Sequence, residues 1–118
     1  MKQLIAYTLL LLLCACEENK EVKQPTNLIH QELFIDVLSE IQIAESAYLK
    51  STDKPKKKKE RLALDTKAIL AEFNIEATAF DSSMLYYQQK PAVMLAIYDS
   101  VIVRLENKLS NMENNKAN

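Results

Sequence analysis

The stretch HQELFIDVLSEIQIAESAYLK, residues 30–50, decides the fold class because its apolar residues mark one face of a helix. Its acidic residues crowd the first half and lie on the other side, where they stabilise the positive end of the helix dipole. A period of three to four residues is typical of an amphipathic helix packed on a core. The apolar positions are Leu33, Phe34, Val37, Leu38, Ile41, Ala44 and Tyr48.

Three more amphipathic segments follow, and we predict helices over 56–73, 77–88 and 91–112. Pro55 and Pro91 suit the first turns of the second and fourth helices. Asn74 is expected to end the second helix, since Asn tolerates the left-handed conformation found there. The apolar positions are Leu62, Ile69, Leu70 and Phe73 in the second helix, Phe80, Met84 and Tyr87 in the third, and Met94, Leu95, Tyr98, Val101, Ile102, Leu105, Leu109 and Met112 in the fourth.

The composition supports this all-α interpretation. The chain has 118 residues and contains no glycine, which tight hairpins and phosphate-binding loops use for positive φ. Its 15 basic and 16 acidic residues nearly cancel, so nothing in the overall charge indicates nucleic acid as a partner. We predict a small three- to four-helix bundle that follows a lipoprotein signal peptide and a flexible tether.

The first residues have the order of such a signal peptide: a positive start, an apolar run over 4–13, and then Leu13-Cys14-Ala15-Cys16. Ten helical residues rise only about 15 Å, half of a bilayer core. Ala15 fits the small-residue slot before a lipidated cysteine, so Cys16 is the predicted lipidation site and Cys14 is discarded. An ordinary signal peptide or a buried N-terminal helix are the alternatives.

These features divide the chain into a signal peptide over 1–15, a lipidated cysteine and flexible tether over 16–27, a helical domain over 28–112 and a disordered tail over 113–118. Lipidation would hold the protein in the bacterial cell envelope, with the outer membrane the preferred site. Acidic residues directly after Cys16 loosely resemble a surface-export signal, but a solvated tether explains them too. The sequence does not distinguish a domain that faces the periplasm from one that faces the cell surface.

No set of residues indicates catalysis. His30 is the single histidine, and a surface or capping role is expected for it. Ser82 and Ser83 have no nearby base, and only Asp36 and Glu40 could share a metal ion, weakly. We therefore expect no enzyme activity, no metal site and no cofactor.

Two features are candidates for binding. The first is the lysine run of Lys54, Lys56, Lys57, Lys58 and Lys59, which is either an anion-binding patch or a solvated loop between helices. The second is Tyr86, expected to be exposed as a contact residue because its neighbour Tyr87 shares the apolar stripe of the third helix. A half-buried ring with a solvated hydroxyl is the alternative for Tyr86.

Four segments together resemble a family of helical lipoproteins of unknown function from Gram-negative bacteria. They are PTNLI (25–29), VLSEIQIAE (37–45), FNIEATAFDSSMLYYQQKP (73–91) and IYDSVIVRL (97–105), and the spacing of Phe80, Ser83, Tyr87, Pro91 and Tyr98 is the most specific part. Glu40-Ile41-Gln42 stands where that family often has Asp-Ile-His. The resemblance implies a fold and a location but no activity.

The expected function is that of a membrane-anchored, non-enzymatic interaction or scaffold module. Its partners would be the membrane, through the lipid, and another envelope protein, with no nucleic acid. The alternative is binding of an anionic glycan, lipid or peptide through the run from Lys54 to Lys59.

Overall fold

The computed structural model describes residues 22–117, and this part of the chain consists of four helices without a strand. They are α1 (Gln31–Leu49), α2 (Pro55–Glu72), α3 (Ala77–Gln88) and α4 (Pro91–Lys116). The predicted all-α fold is confirmed. The signal peptide, Cys14, Cys16 and the first part of the predicted tether lie outside the described residues.

Local chemistry sets the helix ends. His30 caps α1, because its Nδ1 accepts a hydrogen bond of 3.4 Å from the backbone N–H of Leu33. Pro55 and Pro91 occupy the first helical positions of α2 and α4, as predicted. The capping role expected of His30 is therefore confirmed.

Asn74 ends α2 in the left-handed conformation, with φ of 54°, as predicted. Its N–H donates to the Ala71 carbonyl (3.1 Å), and the N–H of Ile75 donates to the Leu70 carbonyl (2.9 Å). This pair of bonds is the Schellman motif, which satisfies carbonyls that the helix itself leaves free. Asn thus replaces the glycine that this sequence lacks.

Helix α1 is the common partner of the fold, because α2 and α4 each pack along it. Arg104 pairs with Glu32 (3.0 Å) and Asp36, and Lys108 pairs with Glu40. These pairs advance together along both helices, so α1 and α4 run in the same direction. Helix α2 returns along α1 after a short connection, and α3 packs on α4.

The core lies where the first half of α1 meets α3 and the first half of α4. Phe34 is fully buried there, and its ring lies 4.9 Å from that of Tyr87 and 5.6 Å from that of Phe80. Aromatic pairs at such separations stabilise a core beyond the area they bury. The buried cluster comprises Ile29, Phe34, Ile35, Leu38, Tyr86, Tyr87, Met94, Ile97 and Val101.

Two side chains of α3 clamp the backbone of Ile29, just before α1. The Oγ of Ser83, which is 0% exposed, accepts a hydrogen bond from the Ile29 N–H (2.9 Å). The Tyr87 hydroxyl donates to the Ile29 carbonyl (2.7 Å). Burial raises the pKa of Tyr87, so this hydroxyl keeps the proton that it donates. Both backbone polar groups of the buried residue Ile29 are thereby satisfied.

Two predicted boundaries were wrong. The flexible tether was expected to reach residue 27, but Val22 already packs against the core and the Leu28 N–H donates to the Pro25 carbonyl (3.3 Å). The tail from 113 was expected to be disordered, but α4 continues to Lys116. Its polar residues include no helix breaker, and a helix already formed adds residues at little cost.

Removing either half of the Ile29 clamp should destabilise the fold. Ser83→Ala and Tyr87→Phe each leave a buried backbone group without its partner, so we expect each to lower the free energy of unfolding by about 1–3 kcal/mol. Urea denaturation measures this. Ser46→Ala is the control, because exposed Ser46 bonds only within its own helix and should change stability by less than about 0.5 kcal/mol. An unchanged midpoint for both clamp variants would contradict the role of the clamp.

Candidate interaction surfaces

The side of α4 that enters the bundle is narrow. Met94, Ile97 and Val101 are the buried residues of this helix, at 7%, 0% and 3% exposure. Farther along the same side, Arg104 and Lys108 make the ion pairs with α1. Packing against α1 therefore uses apolar contacts in the first half of α4 and charged contacts in the second half.

The apolar stripe predicted for the core side of α4 is mostly in solvent instead. Leu95, Tyr98, Ile102, Leu109 and Met112 are between 43% and 64% exposed, and Leu105 is partly buried. Of the eight predicted positions only Met94 and Val101 are buried, whereas Ile97 was missed. The side that enters the core carries Met94, Ile97 and Val101, and Arg104 and Lys108 continue this side as ion pairs with acidic residues of α1.

The exposed residues form a regular seam. Consecutive members are three and four residues apart in alternation, which is the heptad spacing of a coiled-coil contact face. A second row of exposed residues, Asp99, Glu106 and Glu113, repeats every seven residues along the helix, and Asp99 also borders the cleft between α1 and α4. We call this face the α4 seam; its residues are Leu95, Tyr98, Ile102, Leu105, Leu109 and Met112.

Lys56, Lys57, Lys58 and Lys59 lie in the first two turns of α2 and Lys54 is its N-cap, so the loop interpretation is wrong for all but Lys54. Lysines at a helix N-terminus oppose the dipole. Asp53, just before the helix, offsets this: its carboxylate lies 3.2 Å from Lys57 Nζ and 2.9 Å from Arg61. The hydrogen bond from Lys57 is the main cause that lowers the pKa of Asp53. In the described part of the chain, Lys56, Lys58 and Lys59 make no ion pair.

The expected exposure of Tyr86 was wrong. Tyr86 is 9% exposed and packs edge-on against Tyr87, with the ring centroids 5.6 Å apart. Lys90 covers it, with Nζ 4.2 Å from the ring centroid and 2.5 Å from the hydroxyl. Because α3 contributes to the core next to both α1 and α4, two adjacent tyrosines can both be buried. Tyr86 therefore packs in the core of the described fold.

A cleft between α1 and α4 is lined by Glu32, Asp99, Ser100, Val103 and Arg104, and its arginine is already paired with acidic residues. Over residues 22–117, no group of three metal-ligating side chains comes together. Across the same residues, none of the helices has the length and apolarity needed to cross a bilayer.

Comparison with known protein families gives a match over most of the chain. A family model described as a domain of unknown function (DUF4296) matches residues 25–111, which is most of the chain and nearly all of the bundle. No curated protein and no solved structure matches significantly. The match begins inside the segment that docks before α1, in agreement with that segment being part of the domain.

Charged substitutions in the α4 seam should leave folding intact. Because Ile102 and Leu109 are more than half exposed, we expect Ile102→Asp and Leu109→Asp to change the free energy of unfolding by less than about 0.5 kcal/mol each. Ile97→Asp is the contrasting variant, since a carboxylate there would be buried without a partner and should cost more than about 3 kcal/mol. Urea denaturation followed by circular dichroism distinguishes them. A large loss for Leu109→Asp would mean that the seam is covered within the fold.

Proposed function

This chain belongs to the DUF4296 family, and we propose that it is a lipid-anchored protein of the bacterial cell envelope that binds another envelope protein. The observation that carries the binding proposal is the α4 seam, an apolar face of which five of the six residues are exposed in the described fold. Continuous exposed apolar faces are unfavourable in water and are typical of interaction sites. A lipid-anchored scaffold with this face would hold its partner near the membrane.

The anchoring proposal is supported by the sequence at the N-terminus. The apolar run, Ala15 and Cys16 stand in the order that lipidation requires. Each buried methylene of an acyl chain contributes about 0.8 kcal/mol, so several chains on one cysteine would give lasting attachment. The outer membrane is the proposed location.

The proposal includes no reaction. His30 uses its Nδ1 to cap α1, and both cysteines precede the bundle. Ser83 has its hydroxyl committed to the backbone of Ile29. A serine nucleophile needs a neighbouring base, and within residues 22–117 the buried hydroxyl of Ser83 bonds to backbone instead.

Replacing Cys16 should test the anchor. In cells, Cys16→Ser should accumulate as an unprocessed precursor that carries no fatty-acid label, whereas Cys14→Ser, the matched control, should be processed and labelled as usual. Metabolic labelling and membrane fractionation measure both. A Cys16→Ser product that is processed and membrane-bound would refute the anchor.

The same strains test the binding proposal. A photo-crosslinking residue at position 102 should give a defined adduct in the membrane fraction, and the same residue at position 64 should not. Leu64 is the matched control, because it is also an exposed apolar side chain but lies on α2. Loss of the adduct in Cys16→Ser would show that anchoring brings the partner within reach. Identical products from both positions would count against the seam.

The lysine run supports a second candidate, the binding of an anionic glycan, lipid or peptide. Lys56, Lys58 and Lys59 are free of ion pairs within the described residues, and they share one helical end. Near an anionic surface, each lysine contributes about 1 kcal/mol. This run follows the C-terminal end of α1, opposite the end where the chain enters the bundle, so it would meet a ligand away from the entry point.

Removing the run should abolish salt-sensitive binding to a sulfated polymer. We expect the wild-type chain to bind sulfated dextran more weakly as salt rises, and Lys56–Lys59→Ala to bind at least tenfold more weakly at low salt. The control removes other lysines, Lys23, Lys50, Lys67 and Lys116, at equal net charge. Affinity electrophoresis measures both variants. Equal losses in the two variants would attribute binding to net charge and remove this candidate.

A further inference from the structure

We infer that the α4 seam binds an amphipathic helix of another protein. Basic residues flank the apolar stripe of that helix on the side that faces Asp99, Glu106 and Glu113. This inference rests on the proposed function and names the chemistry of the partner. It begins from the heptad register. If Leu95, Ile102 and Leu109 take the first core position of each heptad, then Tyr98, Leu105 and Met112 take the second.

The register fixes what flanks the seam on each side. One flank consists of Met94, Val101 and Lys108: the first two are buried in the bundle, and the lysine pairs with Glu40 of α1. The other flank is the exposed acidic row of Asp99, Glu106 and Glu113. A helix docked on the seam can therefore extend past it only over the acidic row.

A second copy of this chain fits poorly. In an antiparallel pair the outer flanks face each other, so the acidic row of one copy would meet the same row of the other. In a parallel pair the acidic row of each copy would face the flank of Met94, Val101 and Lys108 in the other copy. Met94 and Val101 are buried in their own bundle, so a second helix cannot approach that flank. Charge disfavours the first arrangement and steric overlap disfavours the second.

A basic helix meets every requirement that the seam sets. Its leucine-like residues would fill the spaces between Ile102, Leu105 and Leu109, which are about 5–6 Å apart along the helix. Its lysines or arginines would face Asp99, Glu106 and Glu113 at the positions that choose partners in coiled coils. Attraction across such a flank favours the correct partner, and like charges exclude acidic helices.

Two synthetic peptides of about three heptads test the inference. Both carry leucine at the core positions, and they differ only in having lysine or glutamate at every flanking position. The protein is the natively processed product, held in phosphatidylcholine nanodiscs if membrane-bound and in buffer if soluble. Fluorescence anisotropy should show at least tenfold tighter binding of the lysine peptide, weakening as salt rises.

Matched variants assign the binding to the seam. Leu109→Asp should weaken binding of the lysine peptide at least tenfold, whereas Leu64→Asp on α2 should not. Asp99→Lys, Glu106→Lys and Glu113→Lys combined should reverse the preference, so that the glutamate peptide binds better. The control for charge is Glu60→Lys, Glu72→Lys and Glu76→Lys combined, which changes net charge equally away from the seam and should keep the preference.

Several results would overturn the inference. Equal binding of both peptides would mean that apolar contact alone acts, and no binding of either would mean that the seam is covered or inert. A dimer in sedimentation that Leu109→Asp dissociates would make a second copy the occupant. If the protein proves not to be lipid-anchored, the peptide-binding experiment can still be carried out in buffer. Conversely, a partner crosslinked elsewhere on an anchored protein would preserve the proposed function while overturning this inference.

Discussion

The two hydrogen bonds to the backbone N–H and C=O of Ile29 are the constraint on which the fold depends. They come from adjacent turns of α3, and they fix both where the chain enters the bundle and where α1 begins. Since α1 is the helix on which α2 and α4 pack, its starting point sets the alignment of the whole bundle. A serine fits this place because only a small side chain with an acceptor can lie between two closely packed segments, and Ser83 is fully buried there.

A bundle without glycine must end its helices by other means. Asn74 adopts the left-handed conformation at the end of α2, and the two prolines begin α2 and α4 where a missing N–H costs nothing. Asp53 performs a related task, because its carboxylate partly neutralises the lysines that open α2. Each of these devices is local, so each can be recognised from a few neighbouring residues.

Local signals are also what made the fold predictable from the sequence. The four helices, the cap at His30 and the end of α2 at Asn74 follow from periodicity and from the conformational preferences of single residues. The choice of which side of α4 enters the core does not. It depends on contacts between segments far apart in sequence, such as the pairing of Arg104 and Lys108 with acidic residues of α1.

The same limit applies to the candidate sites. The lysine run was visible in the sequence, but its helical setting depends on where α2 begins. Tyr86 was assigned to the surface by a rule that places adjacent helical residues on different sides, and that rule fails where a helix is enclosed from two directions. The α4 seam was recognised as a stripe, but its exposure only became evident once the neighbours of α4 were in place.

The docking of Val22 has a consequence for how far the domain can move. On the proposed attachment at Cys16, the six residues from the lipid to the first docked side chain span at most about 21 Å even when fully extended. That is shorter than α1 is long, at about 28 Å. The short tether would then keep the bundle close to the bilayer surface, so a partner that binds it must also lie near the membrane.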